Sequence, residues 1–404
     1  MATREEFLHL AKTHPGPYPR FNYYPRISDW KGGATNEDWS LALKDARGQE
    51  VDLYIHFPFC KNFCHFCGCN IKIQSSLDSQ RDYIDALKEE IKSYEVENFK
   101  IRNLFFGGGT PNATNIDLLK EFLDFLFKRI NKSDDFNFIS EMDLRIDEKD
   151  FLEVLKDHSL SGISFGIQDL NPVVLNLIGR KTNIDQLFEK IEGLKDYGFK
   201  EVGIDLLYGL PKQNTKHLEK LDELLKKSVI NKISLYPFAH VPWFSDYYPE
   251  WDKYRPSVEK KMEYYYEVDQ VLLKNDFFQI GYGHYFKKSS EHYQDFQDGK
   301  INRTVMGYFK GASKTLIGCG VSAISISPTV LKKNHKIIGQ YLGAQNKLSK
   351  SHRMTSLDLK QWNKLQEISS KPLSIAENKD FIDLQRYFLP HLCQKYLTNT
   401  HGDI

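Results

Sequence analysis

The chain has 404 residues, with 55 Lys and Arg set against 54 Asp and Glu, for a formal net charge of +1. That balance excludes the broad basic surface on which sequence-independent nucleic-acid binding depends, so no nucleic-acid partner is expected. No apolar run approaches the length of a membrane span, and the opening Met-Ala-Thr-Arg-Glu-Glu is not a secretory signal, so the chain is expected to be cytoplasmic, in a reducing setting, with no membrane span.

Residues 1–48 show no clear periodicity and read as an N-terminal extension. The prolines of Pro15-Gly-Pro-Tyr-Pro-Arg-Phe-Asn-Tyr-Tyr-Pro-Arg26 remove donors and fix φ, so that stretch is expected to run extended. From residue 51 onward, β-rich runs alternate with helical patterns. The strand candidates are 51–57, 101–106, 136–141, 161–167, 200–207 and 232–238, with helices expected near 78–97, 115–131, 148–157, 183–197, 215–228 and 255–275. Strands separated by helices imply parallel pairing through right-handed crossovers. The expected fold class is α/β: a partial (β/α)6 TIM-like barrel over 49–285, then a mostly helical, substrate-covering C-terminal region over 286–404. In such folds chemistry gathers at the C-terminal ends of the strands.

The first strand leads into Tyr54-Ile-His-Phe-Pro-Phe-Cys-Lys-Asn-Phe-Cys-His-Phe-Cys-Gly-Cys69, which holds four of the six cysteines. Pro58 ends the strand and puts the cysteines on a loop. Three thiolates spaced C-x3-C-x2-C on one loop suit an iron–sulfur cluster with one open iron. A zinc site is the alternative, although no second Cys or His pair stands at zinc-type spacing. A disulfide framework does not suit a long chain without a secretory signal.

The other strand ends carry further candidates. In Gly107-Gly-Gly-Thr-Pro111, glycines let the backbone approach a ligand closely, or simply make a turn. No Gly-Lys-Ser/Thr follows, so it is not a phosphate loop. Glu141, Asp143 and Arg145 alternate along an extended chain, which suits either a carboxylate holding ribose hydroxyls or an amino group, or an internal Asp–Arg pair. Gln168 ends the fourth strand with an amide that donates and accepts. Asp205 ends the fifth inside an apolar run and needs a partner, for which Arg180 is a candidate. His56, His240 and His284 are proton donors, substrate contacts or hydrogen-bonded structural histidines.

With the cysteine motif, Gly107-Gly-Gly-Thr-Pro111, Ile163-Ser-Phe-Gly-Ile-Gln-Asp169, Ile204-Asp-Leu-Leu-Tyr-Gly-Leu-Pro-Lys-Gln213 and Gly318-Cys-Gly-Val-Ser-Ala-Ile-Ser325, the chain resembles the radical S-adenosylmethionine (SAM) superfamily. Within it, the chain most resembles the oxygen-independent coproporphyrinogen III oxidases. Arg20-Phe-Asn-Tyr-Tyr-Pro25 adds to that likeness. The resemblance implies a radical SAM barrel in which Cys60, Cys64 and Cys67 bind a 4Fe–4S cluster, whose open iron chelates SAM, in one copy or two. An electron entering the sulfonium yields a 5′-deoxyadenosyl radical, which abstracts hydrogen from a propionate of the porphyrinogen. Loss of carbon dioxide and an electron leaves a vinyl group, and two rounds give protoporphyrinogen IX.

Carried over position by position, Tyr54 packs by the sulfonium and Phe66 by the adenine, and Tyr54 and His56 serve catalysis. Gly108, Gly109 and Thr110 meet the methionyl amino end, while Glu141, Gln168, Arg180, Asp205 and Ile324 complete the SAM contacts. Cys69 is a neighbour of the cluster and not a ligand. The implied partners are a small tetrapyrrole-like substrate and a reductant such as flavodoxin or ferredoxin, with the protein a monomer. The chain departs from the family at Val305-Met306, where Phe-Gln is usual, and also at Gly283, Leu144 and Gly162. A thioether cannot offer the hydrogen bonds of an amide. Two other readings follow: a related radical SAM methyltransferase acting on an aromatic or tetrapyrrole acceptor, and a haem-binding trafficking protein of the same fold.

Overall fold

A computed structural model describes residues 3–13, 23–239, 248–311 and 313–370. Most of the proline-rich run, His240 and residues 371–404 lie outside these. The first strand, β1 (Glu50–Phe57), is buried on both faces, as a central strand of a parallel sheet must be. The short pair β2 (Phe59–Cys60) and β3 (Lys72–Ile73) follows it. Next come β4 (Lys100–Gly108), β5 (Asn131–Met142), β6 (Gly162–Gln168), β7 (Glu201–Tyr208) and β8 (Lys232–Pro237).

The six long strands lie side by side in the order β1-β4-β5-β6-β7-β8, every pair parallel, as the alternation predicts. β4 runs two residues further than expected and takes in Gly107 and Gly108. β5 starts five residues early, because Asn131 and Lys132 pair with β4 ahead of a register shift, in a stretch that carries no alternating apolar signal.

Two edges complete the sheet. On one side, β9 (Phe277–Gly281) and β10 (His284–Lys287) form a hairpin that adds antiparallel to β8. A separate hairpin joins β11 (Ile301–Thr304) to β12 (Gly307–Lys310). On the other side, β13 (Leu316–Cys319) pairs parallel with β1, and β14 (Ile324–Ile326), β15 (Val330–Asn334) and β16 (Leu348–Arg353) extend the sheet antiparallel. The result is an open arc of twelve strands, a partial barrel with no closing pair between β9 and β16 among the described residues.

The crossover helices form where expected, at Leu77–Ser93, Ile116–Phe127, Lys149–Lys156, Ile184–Gly193, Leu218–Lys227 and Val258–Lys274. Ser76, Asn115, Asn183 and Ser257 cap four of their N-termini by accepting from backbone amides. Each helix turns its Leu, Ile and Phe stripe onto the sheet. Phe57, Phe106, Phe122 and Phe138 interlock there, each contributing about 1.5–3 kcal/mol by burial.

Sequence periodicity missed three features. Pro172–Leu177 is a short helix started by Asn171 and Pro172. The N-terminal region holds helices Arg4–Thr13 and Asn36–Asp45, too short to declare a period. The first lies against Val258–Lys274, with Phe7 stacked on Tyr265 at 5.6 Å. In the C-terminal region, the helices Ile338–Gly343 and Ser356–Ser370 alternate with strands of three to six residues.

Candidate active site

The cysteine loop is closed at its base. β2 and β3 pair in parallel, Lys72 N donates to Pro58 O at 2.7 Å, and Gln74 N donates to Cys60 O at 3.0 Å. His65 anchors the far side, through its backbone amide to Ile178 O at 2.9 Å and its Nδ1–H to Leu177 O at 3.1 Å. Cys60, Cys64 and Cys67 then face one cavity of about 170 Å³.

Burial pushes the Cys60 thiol up to about 11, and Thr110 Oγ1 lies 3.3 Å from its sulfur. The Cys64 sulfur receives two guanidinium donors, Arg145 Nη2 at 3.4 Å and Arg180 Nη1 at 3.6 Å. Such donors suit a thiolate more than a thiol. Among the described residues, no three Cys, His, Asp or Glu side chains converge as a single metal ion demands. Three thiols around one cavity, with cations behind one of them, fit an iron–sulfur cluster.

The glycines after β4 have a more specific task than approach to a ligand. A Cβ on Gly109 would meet Pro58 C at 2.8 Å and the carbonyl oxygens of Phe57 and Phe59 at 2.9 Å. One on Gly108, at φ +114°, would strike the His56 ring at 2.5–2.8 Å. They let the β4 loop press on the cysteine loop, sealed by Gly109 N donating to Phe57 O at 2.7 Å. Gly108 N also donates to Glu141 Oε2 at 3.0 Å. Burial and the charge of Asp205 push the Glu141 carboxyl up to about 8 against that bond.

β5 ends at Met142, so Asp143 and Arg145 do not continue its alternation. Arg145 folds back, its Nε 3.0 Å from both Asp143 oxygens and its Nη2 2.6 Å from Oδ2. Arg180, offered by the sequence as a partner for Asp205, stands 3.6 Å from Asp143 Oδ1 and donates to Gly166 O. Burial would raise the Asp143 carboxyl, but Arg180 and Arg145 hold it below its ordinary value. The internal Asp–Arg pair expected as one alternative is therefore present, in direct reach of a cysteine. Phe66, Gly108, Gly109, Thr110, Glu141, Gln168, Arg180 and Asp205 all line the cysteine cavity, Gln168 in a left-handed conformation at φ +70°.

A second cavity, of about 460 Å³, adjoins the first: Cys69, Gly108, Glu141, Ser164 and Asp205 line both. Tyr54, His56 and Ile324 face the larger one, so the predicted SAM contacts divide between two adjoining spaces. Tyr54 stacks on Phe105 at 6.1 Å, and its hydroxyl lies 3.1 Å from His56 Nδ1. His56 Nε2 donates to Asn70 O at 3.0 Å, and burial pushes the imidazole down to about 4, so it is neutral.

Sequence reading missed the far wall, made by Lys232, Tyr236 and Arg303. Lys232 bonds Glu201, whose carboxyl burial alone would raise but which Lys232 and His292 hold at about 2. An isolated Lys at a strand start gives no local signal. The polar alternation Lys232, Ser234, Tyr236 along β8 was the available one. His284, singled out from the sequence, lies on this wall between Tyr236 and Arg303. Val305 and Met306 line it too.

Comparisons with known proteins agree with this geometry. Residues 54–225 match the family model of the radical SAM superfamily. The oxygen-independent coproporphyrinogen III oxidase of Helicobacter pylori J99 is 28% identical over 348 residues, covering 83% of this chain and 75% of that protein. The Escherichia coli K12 enzyme of the same name is 28% identical over 330 residues, covering 80% and 71%. The Synechocystis one is 27% identical over 398 residues, covering 93% and 84%. The solved Escherichia coli coproporphyrinogen III oxidase, a radical SAM enzyme, superposes with a TM-score of 0.81 at 26% identity, covering 87% of this chain and 82% of that one. With its cysteine loop at the mouth of a partial barrel and a donor set that suits a 4Fe–4S cluster and SAM, this chain is similar over residues 54–225 to the radical SAM superfamily.

Proposed function

We propose that the chain converts propionate side chains of coproporphyrinogen III to vinyl groups without oxygen, giving protoporphyrinogen IX. The observation that carries this is the shared wall of the two cavities. The space at the cysteines shares Glu141 and Asp205 with a chamber of about 460 Å³ that Lys232 and Arg303 also line, as suits a polycarboxylate substrate. Relatives of that name align over 80–93% of the chain.

In this reading Cys60, Cys64 and Cys67 hold the cluster. Gly108, Gly109, Thr110, Glu141, Gln168, Arg180 and Asp205 hold SAM, with Phe66 against its adenine and Tyr54 and Ile324 on the chamber side. When bound, the two cofactors supply a carbon radical that takes a hydrogen atom from the substrate. The chain's own work is orientation and exclusion of water. Neutral His56 fixes the Tyr54 hydroxyl, and the Tyr54–Phe105 stack makes a flat wall against which a pyrrole ring can lie. A reductant such as flavodoxin or ferredoxin supplies the electron in the cytoplasm, and the enzyme acts as a monomer.

The test is anaerobic reconstitution of the cluster, followed by SAM, reductant and coproporphyrinogen III, with products read by mass. Loss of two carboxyl groups is expected. A gain of methyl groups would make it the methyltransferase instead, a reading favoured by Val305 and Met306 in the chamber wall. Stoichiometric haem bound with SAM uncleaved would make it a haem carrier.

A further inference from the structure

Two residues have no part in the roles above although they close the motifs that point to SAM. Asp169 ends Ile163-Ser-Phe-Gly-Ile-Gln-Asp169, and Gln213 ends Ile204-Asp-Leu-Leu-Tyr-Gly-Leu-Pro-Lys-Gln213. Neither lines either cavity, whereas Gln168 and Asp205 in the same motifs line the one at the cysteines. Gln168 is the last residue of β6, and Asp205 lies within β7. The two strands pair as far as Gln168 opposite Leu206, with a shift of register between Gly166 and Gln168. A bulge of that kind re-aims the side chain beside it. Gln168 also sits at φ +70°, which a residue with a side chain keeps only when its neighbours hold it there. Past Leu206, β7 runs on for two residues that pair only with β8 among the described residues. The ladder stops where β6 turns away, so another contact has to hold the exit of β6.

The side chain of Gln213 supplies it. Its amide makes four hydrogen bonds, using both N–H groups and both lone pairs. Oε1 accepts from Gly209 N at 2.7 Å and Leu210 N at 3.2 Å, and Nε2 donates to Leu207 O at 2.7 Å. Those three bonds fix the amide on the turn that follows β7. The remaining N–H crosses to β6 and donates to Asp169 Oδ2 at 2.7 Å. Asp169 is 2% exposed, and burial raises its carboxyl above the ordinary value. Its Oδ1 accepts from Asn171 N at 2.6 Å. Asn171 in turn caps Pro172–Leu177, accepting from Val173 N at 2.9 Å. At the far end of that helix, Leu177 O and Ile178 O take the two bonds from His65 of the cysteine loop. One amide thus ties the end of β7 to the exit of β6 and, through a short helix, to the cysteine loop.

We infer that Gln213 is a positioning residue for SAM, acting through Asp169 to hold the Gln168 amide in place opposite the Asp205 carboxyl, a role that rests on the reading of Gln168 and Asp205 as SAM contacts. Those two side chains come from neighbouring strands and have to meet one ligand together. A displacement of about 1 Å at either strand end takes a hydrogen bond out of its useful range. Gln213 touches no ligand, so it acts on affinity through geometry alone. The tie also has one sense. Gln213 cannot turn its amide over, because Oε1 is committed to two backbone N–H groups, and Asp169 accepts on both of its oxygens.

The test uses the reconstituted holoenzyme with neither reductant nor porphyrinogen, and reads the affinity for SAM per cluster together with the melting temperature. In Asp169→Asn the new amide keeps its oxygen for Asn171 N and turns its NH2 on the NH2 of Gln213. In Gln213→Glu two carboxylates face each other. The double variant Asp169→Asn/Gln213→Glu reverses the pair and sets a donor against an acceptor again. Each single variant should weaken SAM binding roughly 5- to 30-fold. The double variant should return to within about threefold of wild type. A role in stability alone would lower the melting temperature while every variant kept wild-type affinity, and that result would overturn the inference. So would a double variant that binds no better than its parents. Gln168→Ala and Asp205→Asn test the reading beneath it. If both bind SAM as wild type does, that reading fails and the positioning role with it. If both weaken SAM while the Asp169 and Gln213 variants do not, the positioning role alone fails. With porphyrinogen absent, none of these results depends on whether the enzyme decarboxylates it.

Discussion

Arg145 grips Asp143 with one edge of its guanidinium and points Nη2 at the sulfur of Cys64, 3.4 Å away. A donor to a cluster thiolate withdraws negative charge from the sulfur and favours the reduced cluster. Arg145→Met should therefore keep the cluster's absorbance, since the ligands are intact, and lower its midpoint potential by on the order of 50 mV, the equivalent of one charge-assisted bond. Redox titration followed by electron paramagnetic resonance reads this directly. An unchanged potential would mean that the contact does not persist in the loaded protein.

The four clustered cysteines are expected to separate into two kinds. Cys64→Ala should abolish the visible absorbance of the reconstituted cluster. Cys69→Ala should retain it, because Cys69 faces the shared opening between the cavities. Equal loss in both variants would contradict the assignment of Cys60, Cys64 and Cys67 as the ligand set.

Gly109 tests how the two loops meet. A Cβ there is opposed by backbone atoms of Phe57, Pro58 and Phe59, which cannot rotate away. Gly109→Ala should cost about 1–3 kcal/mol by overpacking and lower cluster occupancy by displacing the cysteine loop. Gly68 has nothing within 4 Å of its built Cβ, so Gly68→Ala serves as the control. Denaturation midpoints and iron content measured on both variants decide the matter, and equal behaviour would refute the close approach.

What the sequence made legible follows from range. β1 and β4–β8 announce themselves because each carries its own apolar run and is followed by its own crossover helix. The cysteine loop is legible because all its chemistry falls within ten positions. β13 holds four residues and pairs with β1, some 260 positions earlier, so no local period could reveal it. Lys232 and Arg303 carried no local signal either: Lys232 is the single cation opening β8, Arg303 sits on the four-residue β11, and they meet only through β10. The glycines were read as letting the backbone approach a ligand, or as a plain turn. The surface approached was the cysteine loop itself, which only the folded register discloses.

His56 gives a pH dependence whose sign can be worked out. Its ring is neutral between the Tyr54 hydroxyl and Asn70 O, with its pKa pushed from 6.5 down to about 4 by burial. Below 6.5 the unfolded chain takes up a proton that the folded one refuses, so stability falls as pH drops from 6.5 toward 4, by up to about 3 kcal/mol. Above 6.5 this contribution is flat. His56→Gln should lack that slope, and the difference between the two melting-temperature profiles cancels the acid sensitivity of the rest of the protein. Parallel profiles would mean that the imidazole is protonated in the fold.

Glu90 fastens the other rim of the chamber. From the helix Leu77–Ser93 its Oε1 accepts from Tyr94 at 2.8 Å and Asn334 Nδ2 at 2.6 Å. Its Oε2 accepts from Tyr341 at 2.8 Å and the backbone amide of Gly320 at 2.7 Å. The Gly320 bond anchors the turn that carries Ser322, Ala323 and Ile324 into the larger cavity, and Tyr83 ties the same turn to β1 by donating to His56 O and accepting from Val321 N. Lys332, buried beside the cluster of tyrosines, donates to Tyr94 and depends on the same anion for its charge balance. Glu90→Ala strands four buried donors and that lysine, so it should cost about 3–5 kcal/mol in chemical denaturation. Pairing Glu90→Ala with Lys332→Met removes the orphaned cation and should recover about 1–2 kcal/mol of the loss. A single-variant cost below about 1 kcal/mol, or no recovery in the double variant, would show that the carboxylate does not hold the turn against the sheet.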